Sequence, residues 1–455
     1  MVSNPHRYRP ERTTFPSRRA LRLLWIALSA IGIGCSSSPA AGYRGGGGSG
    51  GGAAGAGGGG AEDASGQATP DLGTPGCTPP YCGGGEICDP VTLACRACAS
   101  NAECALRDPT QSACVAGTCR AACASNAECA SDPAGSVCDG GGCRPCVADV
   151  ECTTGAGVCI DTAGGHCAGT AEALFVEYDP AGCAGADGSS AHPYCTPGAA
   201  LAAVTSATTV VIVRGPAHDP IAISTNLGGI TIVGIPNATG AAASVPAAAG
   251  TAILASAGVA HVRDLALVAG TASVSIGIAV TGTSTELSLM RVTIALGTGL
   301  GAQVAGGGLL SMSDCVVENN SVGGLRVDGG GYSIGNSVFA SNGYGIDFTA
   351  TPLPFPPPSS IGFVTIVDNA QDAVRCDPAN VQTLLGSIVA GPNDGCALED
   401  SATTVPPFDP ARPYHLTASF PCPEAAPDQF PVDDIDGNVR MVPVDCGADQ
   451  FVAAP

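Results

Sequence analysis

Between Val262 and Val389, short apolar runs alternate with polar breaks at a near-constant interval. The runs read VRDLAL, LMRVTI, SDCVV, GNSVF, GFVTI and LGSIV. Asp264, Arg291, Asp314, Asn336, Phe363 and Gly386 hold equivalent places in them, in steps of 27, 23, 22, 27 and 23 residues. Six residues further on stand Gly270, Gly297, Asn320, Asn342 and Asn369. Gly and Asn are the residue types that accept positive φ, so a left-handed turn is expected at each of these positions. A second strand class follows: GIAV from Gly277, GAQV from Gly301, GLRV from Gly324, GIDF from Gly345 and AVRC from Ala373. Its second and fourth residues are mainly apolar and should point inward, the third outward. The outward positions form a column of Ala279, Gln303, Arg326, Asp347 and Arg375. Two strand classes repeating in this way predict a mainly β chain wound as a single-stranded parallel β-helix. Equivalent residues then stack about 4.8 Å apart, and Asn320, Asn342 and Asn369 are expected to bond amide to amide as a structural ladder.

The chain ahead of these coils has a different texture. A basic stretch ending in SRRALR leads into LLWIALSAIGIG, a 12-residue apolar run. That run is too short to span a bilayer, which takes a helix of about 20 residues. Cys35 follows it directly. Residues 35–76 are dominated by glycine, which offers no side chain to bury and loses the most entropy on ordering, so they read as a disordered flexible tether. From Cys77 to Cys167 there are 16 cysteines. CASNAECALRDPTQSACVAGTC and CASNAECASDPAGSVCDGGGC are close copies, a looser one begins at Cys146, and an incomplete one begins at Cys77. Each unit has four cysteines, which suits two disulfides per unit in an oxidising compartment. Zinc is the competing chemistry, through the C-x2-C pairs Cys95/Cys98 and Cys143/Cys146, but the C-x5-C steps do not supply matching ligand pairs.

Charge narrows the partners. The chain has 18 basic residues, all arginine, against 39 acidic ones. Removing residues 1–34 takes six arginines and Glu11, leaving a formal charge of −26. Nucleic acid is therefore excluded as a partner, because phosphate binding needs a positive footprint. Charged residues make up only 13% of a chain that is 45% hydrophobic, which is too apolar for wholesale disorder.

Resemblances to known families extend this reading. Residues 1–35 resemble a bacterial lipoprotein signal, which implies lipidation of Cys35 and anchoring in the cell envelope, at the outer membrane surface. An ordinary cleaved secretory peptide is the competing reading. The cysteine units resemble short Cys-rich repeats of bacterial surface lipoproteins. Asp179–Val204, with Thr196 capping a helix that has Pro197 at its first position, resembles the entry of secreted right-handed parallel β-helices of the pectin-lyase-like kind. The expected domains are a signal peptide at 1–34, the tether at 35–76, a disulfide module at 77–170 and a right-handed β-helix at 171–455. The expected function is non-catalytic: surface binding, adhesion or a structural role, with Gln303, Arg326, Asp347 and Arg375 as a candidate glycan-binding patch. The expected partners are a membrane through the lipid anchor, and a polysaccharide or another surface protein, with the chain as a monomer. The alternative is a polysaccharide lyase or glycoside hydrolase, for which the column offers no clear pair of carboxylates. No catalytic residue, metal site or cofactor is assigned. By proximity, Cys183 pairs with Cys195, Cys376 with Cys396 and Cys422 with Cys446, which leaves Cys315 as a buried free thiol.

The closing run DDIDGNVRMVPVDCGADQF, from Asp433 to Phe451, has the look of a calcium loop. A loop starting at Asp434 would put Val439 at the sixth position, where the sharp turn needs glycine, and Arg440 beside the site. The run resembles the ending of secreted bacterial β-helix proteins instead. That resemblance implies a lid over the last coil's open edge, pinned by an Asp436–Arg440 pair.

Overall fold

A computed structural model describes residues 82, 86–89, 92, 94–115, 117–130, 135–160, 165–178, 183–224, 228–247, 250–269, 275–349, 359–379, 381–422, 431, 433–441 and 444–450. Cys35, the glycine-rich tether, Cys77 and Gly270 lie outside the described residues. All described residues belong to one compact unit. Among them, no helix is long and apolar enough to cross a membrane.

The chain winds into a right-handed parallel β-helix with three sheets, not two. The first sheet has ten strands, from Ala173–Glu177 to Ala397–Glu399. The second has eight, from Ile221–Ile223 to Asn393–Asp394, and the third has seven, from Ser244–Pro246 to Ile388–Val389. Alternation sets the inner face: in Thr285–Met290 the residues Thr285, Leu287 and Leu289 are buried while their neighbours are partly open. One apolar core, containing Ile253, Ile278, Leu287, Phe339 and Phe348, runs through the coils.

The missing sheet explains the error in strand count. VRDLAL is not one strand: it leaves the first sheet at Arg263, turns at Asp264 and enters the third sheet at Ala266. Asp264, Arg291, Asp314, Asn336, Phe363 and Gly386 all have φ between 45° and 59°, so the repeat marker is itself the left-handed corner. The expected turn positions need a matching correction. Gly297 has positive φ, but in the next three coils the strained residue is Asn319, Ser341 or Asp368, one place before each asparagine.

The asparagines serve through their side chains. Asn320 and Asn342 are buried. Each Oδ1 accepts a backbone N–H from the coil before: Asn320 from Leu296, Asn342 from Asn320 and Asn369 from Asn342, at 2.9–3.0 Å. Each Nδ2 donates to a carbonyl, of Ile294, Val317 or Phe339. A direct amide-to-amide bond joins Asn320 to Asn342, at 3.0 Å.

Both ends of the winding carry extra structure. The helix Pro197–Ala203 is capped by Thr196 Oγ1, which accepts the Ala199 N–H, and it sends Ala200 and Leu201 into the core at the first coil. Among the described residues, the closing segment packs on a sheet face. It lies along the outside of the third sheet, where Cys446 and Ala448 cover the outward Val338, Ala340, Val367 and Ile388. Cys183–Cys195, Cys376–Cys396 and Cys422–Cys446 are disulfides, and Cys315 is a buried free thiol whose pKa burial pushes up to about 12.

In each complete cysteine unit the first cysteine bonds the third and the second bonds the fourth. The pairs are Cys98–Cys114 with Cys104–Cys119, Cys123–Cys138 with Cys129–Cys143, and Cys146–Cys159 with Cys152–Cys167. These sulfurs are spent on one another, so zinc has no thiolates to bind there. With Cys82–Cys95, ten disulfides join described cysteines, which fits an oxidising environment. The last unit is also docked: Val158, Ile160 and Ala168 pack with Phe175, Val210, Ile212 and Val233 of the first sheet.

Candidate functional site

The second sheet carries the outward column. Its strands are in parallel register, so Leu254, Ala279, Gln303, Arg326, Asp347, Arg375 and Asp394 are successive cross-strand partners. Two structural features hold the last charged rungs in place. The Cys376–Cys396 disulfide ties the strand bearing Arg375 to the turn beyond it. Asn342 and Asn369 fix the corners from which the strands Gly323–Asp328 and Ile346–Thr349 are reached.

Asp347 is 3% exposed and lies between the two arginines. Its carboxylate is 3.5 Å from Arg326 Nε and 3.8 Å from Arg375 Nε. Arg375 Nε is also 3.3 Å from Asp372. These are attractions without hydrogen-bond alignment: Arg326 Nε and Arg375 Nε are buried and have no hydrogen-bond partner among the described residues. About a third of each arginine side chain remains open to solvent.

Tyr344 completes the group. Its buried ring lies 5.7 Å from the Arg326 guanidinium and 5.4 Å from that of Arg375, within cation–π range. Its hydroxyl is buried and has no hydrogen-bond partner among the described residues, and burial raises its pKa. Gly323 makes room for the ring, since a Cβ there would meet Tyr344 at 2.2 Å.

Of the four residues expected here, Arg326, Asp347 and Arg375 form one charged cluster, and Gln303 stands one rung before it. Tyr344 and Asp372 were missed by the sequence reading. Each immediately precedes a second-class run, GIDF or AVRC, so the corner position was the available signal. The two arginine Nε groups can only donate, which suits an acceptor-rich, anionic ligand.

In the closing segment, the expected Asp436–Arg440 pair is absent among the described contacts. Arg440 is buried and donates to the carbonyls of Asp433, Asp445, Gly447 and Ala448 and to Asn336 Oδ1. Burial lowers its pKa to about 10. Asp434, the first residue of the apparent calcium loop, accepts the backbone N–H groups of Asp436, Asn438 and Gln450. Asp445 accepts from Ser419, Phe420 and Gln450. Those carboxylates staple the backbone, while Asp436 meets His415 instead.

No family model matches the chain, and no curated protein or solved structure matches it.

Proposed function

We propose that the chain is an exported, lipid-anchored, non-catalytic binding protein whose β-helix presents the Arg326–Asp347–Arg375 face to an acidic glycan. The carrying observation is the pair of guanidinium groups, Arg326 and Arg375, each about a third open to solvent above the Tyr344 ring and with no aligned hydrogen bond at Nε among the described residues. Buried polar groups are normally satisfied, so a convergent set of spare donors favours a ligand rich in acceptors. Arginine forks match carboxylate or sulfate oxygens bidentately. The signal-like residues 1–35 support export, with Cys35 as the lipid site and the glycine-rich stretch as its tether.

The enzymatic alternative is disfavoured by the engagement of the carboxylates. Asp347 lies between two guanidinium groups and Asp372 is held on Arg375, an arrangement that engages both carboxylates with arginine rather than leaving them free to face a substrate.

Glycan arrays and titration calorimetry with uronate-bearing, sulfated and neutral oligosaccharides test the reading. The expected result is binding of an acidic class without turnover, lost in Arg326→Ala/Arg375→Ala and weakened in Tyr344→Phe. Equal binding by the double variant would overturn the assigned face. Release of unsaturated or reducing sugar that Asp347→Ala abolishes would overturn the non-catalytic reading.

A further inference from the structure

Three separate stretches of the closing region converge at His415. It lies on the strand Arg412–Leu416, Asp436 lies in the turn that follows Asp434, and Asp449 lies in the final described run. His415 Nδ1 is 3.0 Å from Asp436 Oδ2 and 3.6 Å from Asp449 Oδ1, and the three donor atoms all lie within 4.8 Å of one another. Nδ1 is buried and, among the described residues, neither carboxylate oxygen is well aligned for a hydrogen bond with it. The two carboxylates flank the nitrogen rather than cap it.

We infer that His415, Asp436 and Asp449 form a binding site for a divalent transition-metal ion of the zinc class, with water completing its shell. A tetrahedral ion with bonds of about 2.0–2.1 Å holds its ligand atoms about 3.3 Å apart, and the two nitrogen–oxygen separations straddle that value. The donor set decides the class. One imidazole with two carboxylates suits a borderline ion, whereas calcium takes six to eight oxygens and no nitrogen. The outer contacts of a built site are present. The other oxygen of Asp449, Oδ2, accepts the Leu416 N–H, which fixes the buried carboxylate, and Asp436 is 28% exposed, leaving a way in from solvent. Arg412 Nη1, 4.0 Å from Asp436, is the nearest competing cation. Bound metal would clamp the closing run to the Arg412–Leu416 strand.

The test uses the full, tag-free, disulfide-intact chain after treatment with chelator. Calorimetric titration with zinc chloride is expected to show one saturable site per chain that His415→Gln and Asp449→Asn each remove, while calcium chloride gives no saturation. The wild-type chain labelled with 15N-histidine supplies a readout that does not depend on a variant folding: one ring nitrogen should move on adding zinc and stay fixed on adding calcium. Undiminished stoichiometry in His415→Gln, or no histidine ring responding to zinc, overturns the site.

Discussion

Asp314 occupies a left-handed corner with φ of 55°, where a side chain that can bond locally is least unfavourable. It accepts the Ser313 hydroxyl at 2.9 Å. Burial raises its carboxyl to about 6, with Asp433 adding to the rise and Arg291 opposing it. The folded pKa therefore lies above the unfolded value, and between about pH 4 and 6 the folded state holds more protons. Stability must fall as pH rises through that window and stay lower above it. Asp314→Asn removes the cost of the buried charge. At pH 7.5 it should be more stable than the wild type by roughly 1–3 kcal/mol, the group being partly solvated, and the two should converge near pH 4. Urea unfolding at both pH values checks this; a variant less stable at pH 7.5 would mean that the pull of Arg291 outweighs burial. Arg440 teaches a related lesson about sequence reading. A nearby aspartate in the chain suggested a partner, but a buried guanidinium with five donors is better satisfied by four carbonyls and an amide.

At the scale of elements, the periodic part of the fold was legible because stacking repeats the same demand in every coil. The asparagines at positions 320, 342 and 369 stood out since each must satisfy a neighbour's N–H inside a dry corner. Asn342→Ala strips partners from the Asn320 N–H, the Asn320 side chain and the Val317 carbonyl, and should cost about 2–4 kcal/mol. Asn369→Ala, at a more open position, should cost less. Denaturant midpoints of the two variants separate these values, and equal losses would contradict a gradient set by burial. The third sheet was hidden for a physical reason. Its strands are two or three residues long, and four of the six repeat corners that lead into them hold Asp, Arg or Phe rather than Gly or Asn. The candidate face was legible as alternation along each strand. Tyr344 was not, because a corner residue belongs to neither strand pattern.

At the scale of the whole described unit, one ion pair joins the cysteine module to the head beside an apolar contact. The three complete units share a position, Asn101, Asn126 and Asp149, whose side-chain oxygen accepts the N–H of the third cysteine. Only the docked unit has aspartate there. Arg263, 5% exposed, donates to both Asp149 oxygens at 2.7 and 2.8 Å and to the Cys159 carbonyl. The repeat thus keeps its own geometry while one atom's change, nitrogen to charged oxygen, adds an attachment to the first sheet. Arg263→Ala leaves a carboxylate without its partner at the junction and should weaken docking by about 2–4 kcal/mol. Asp149→Asn restores the residue type of the other two units, so the unit should stay folded while docking weakens by a smaller amount. Hydrogen exchange resolves the two effects: in both variants protection should fall along Val158–Ile160 and Phe175, while the disulfide hairpin Val137–Arg144 of the preceding unit keeps its protection. Unchanged exchange at Val158–Ile160 in Arg263→Ala would assign the docking to the apolar contact alone.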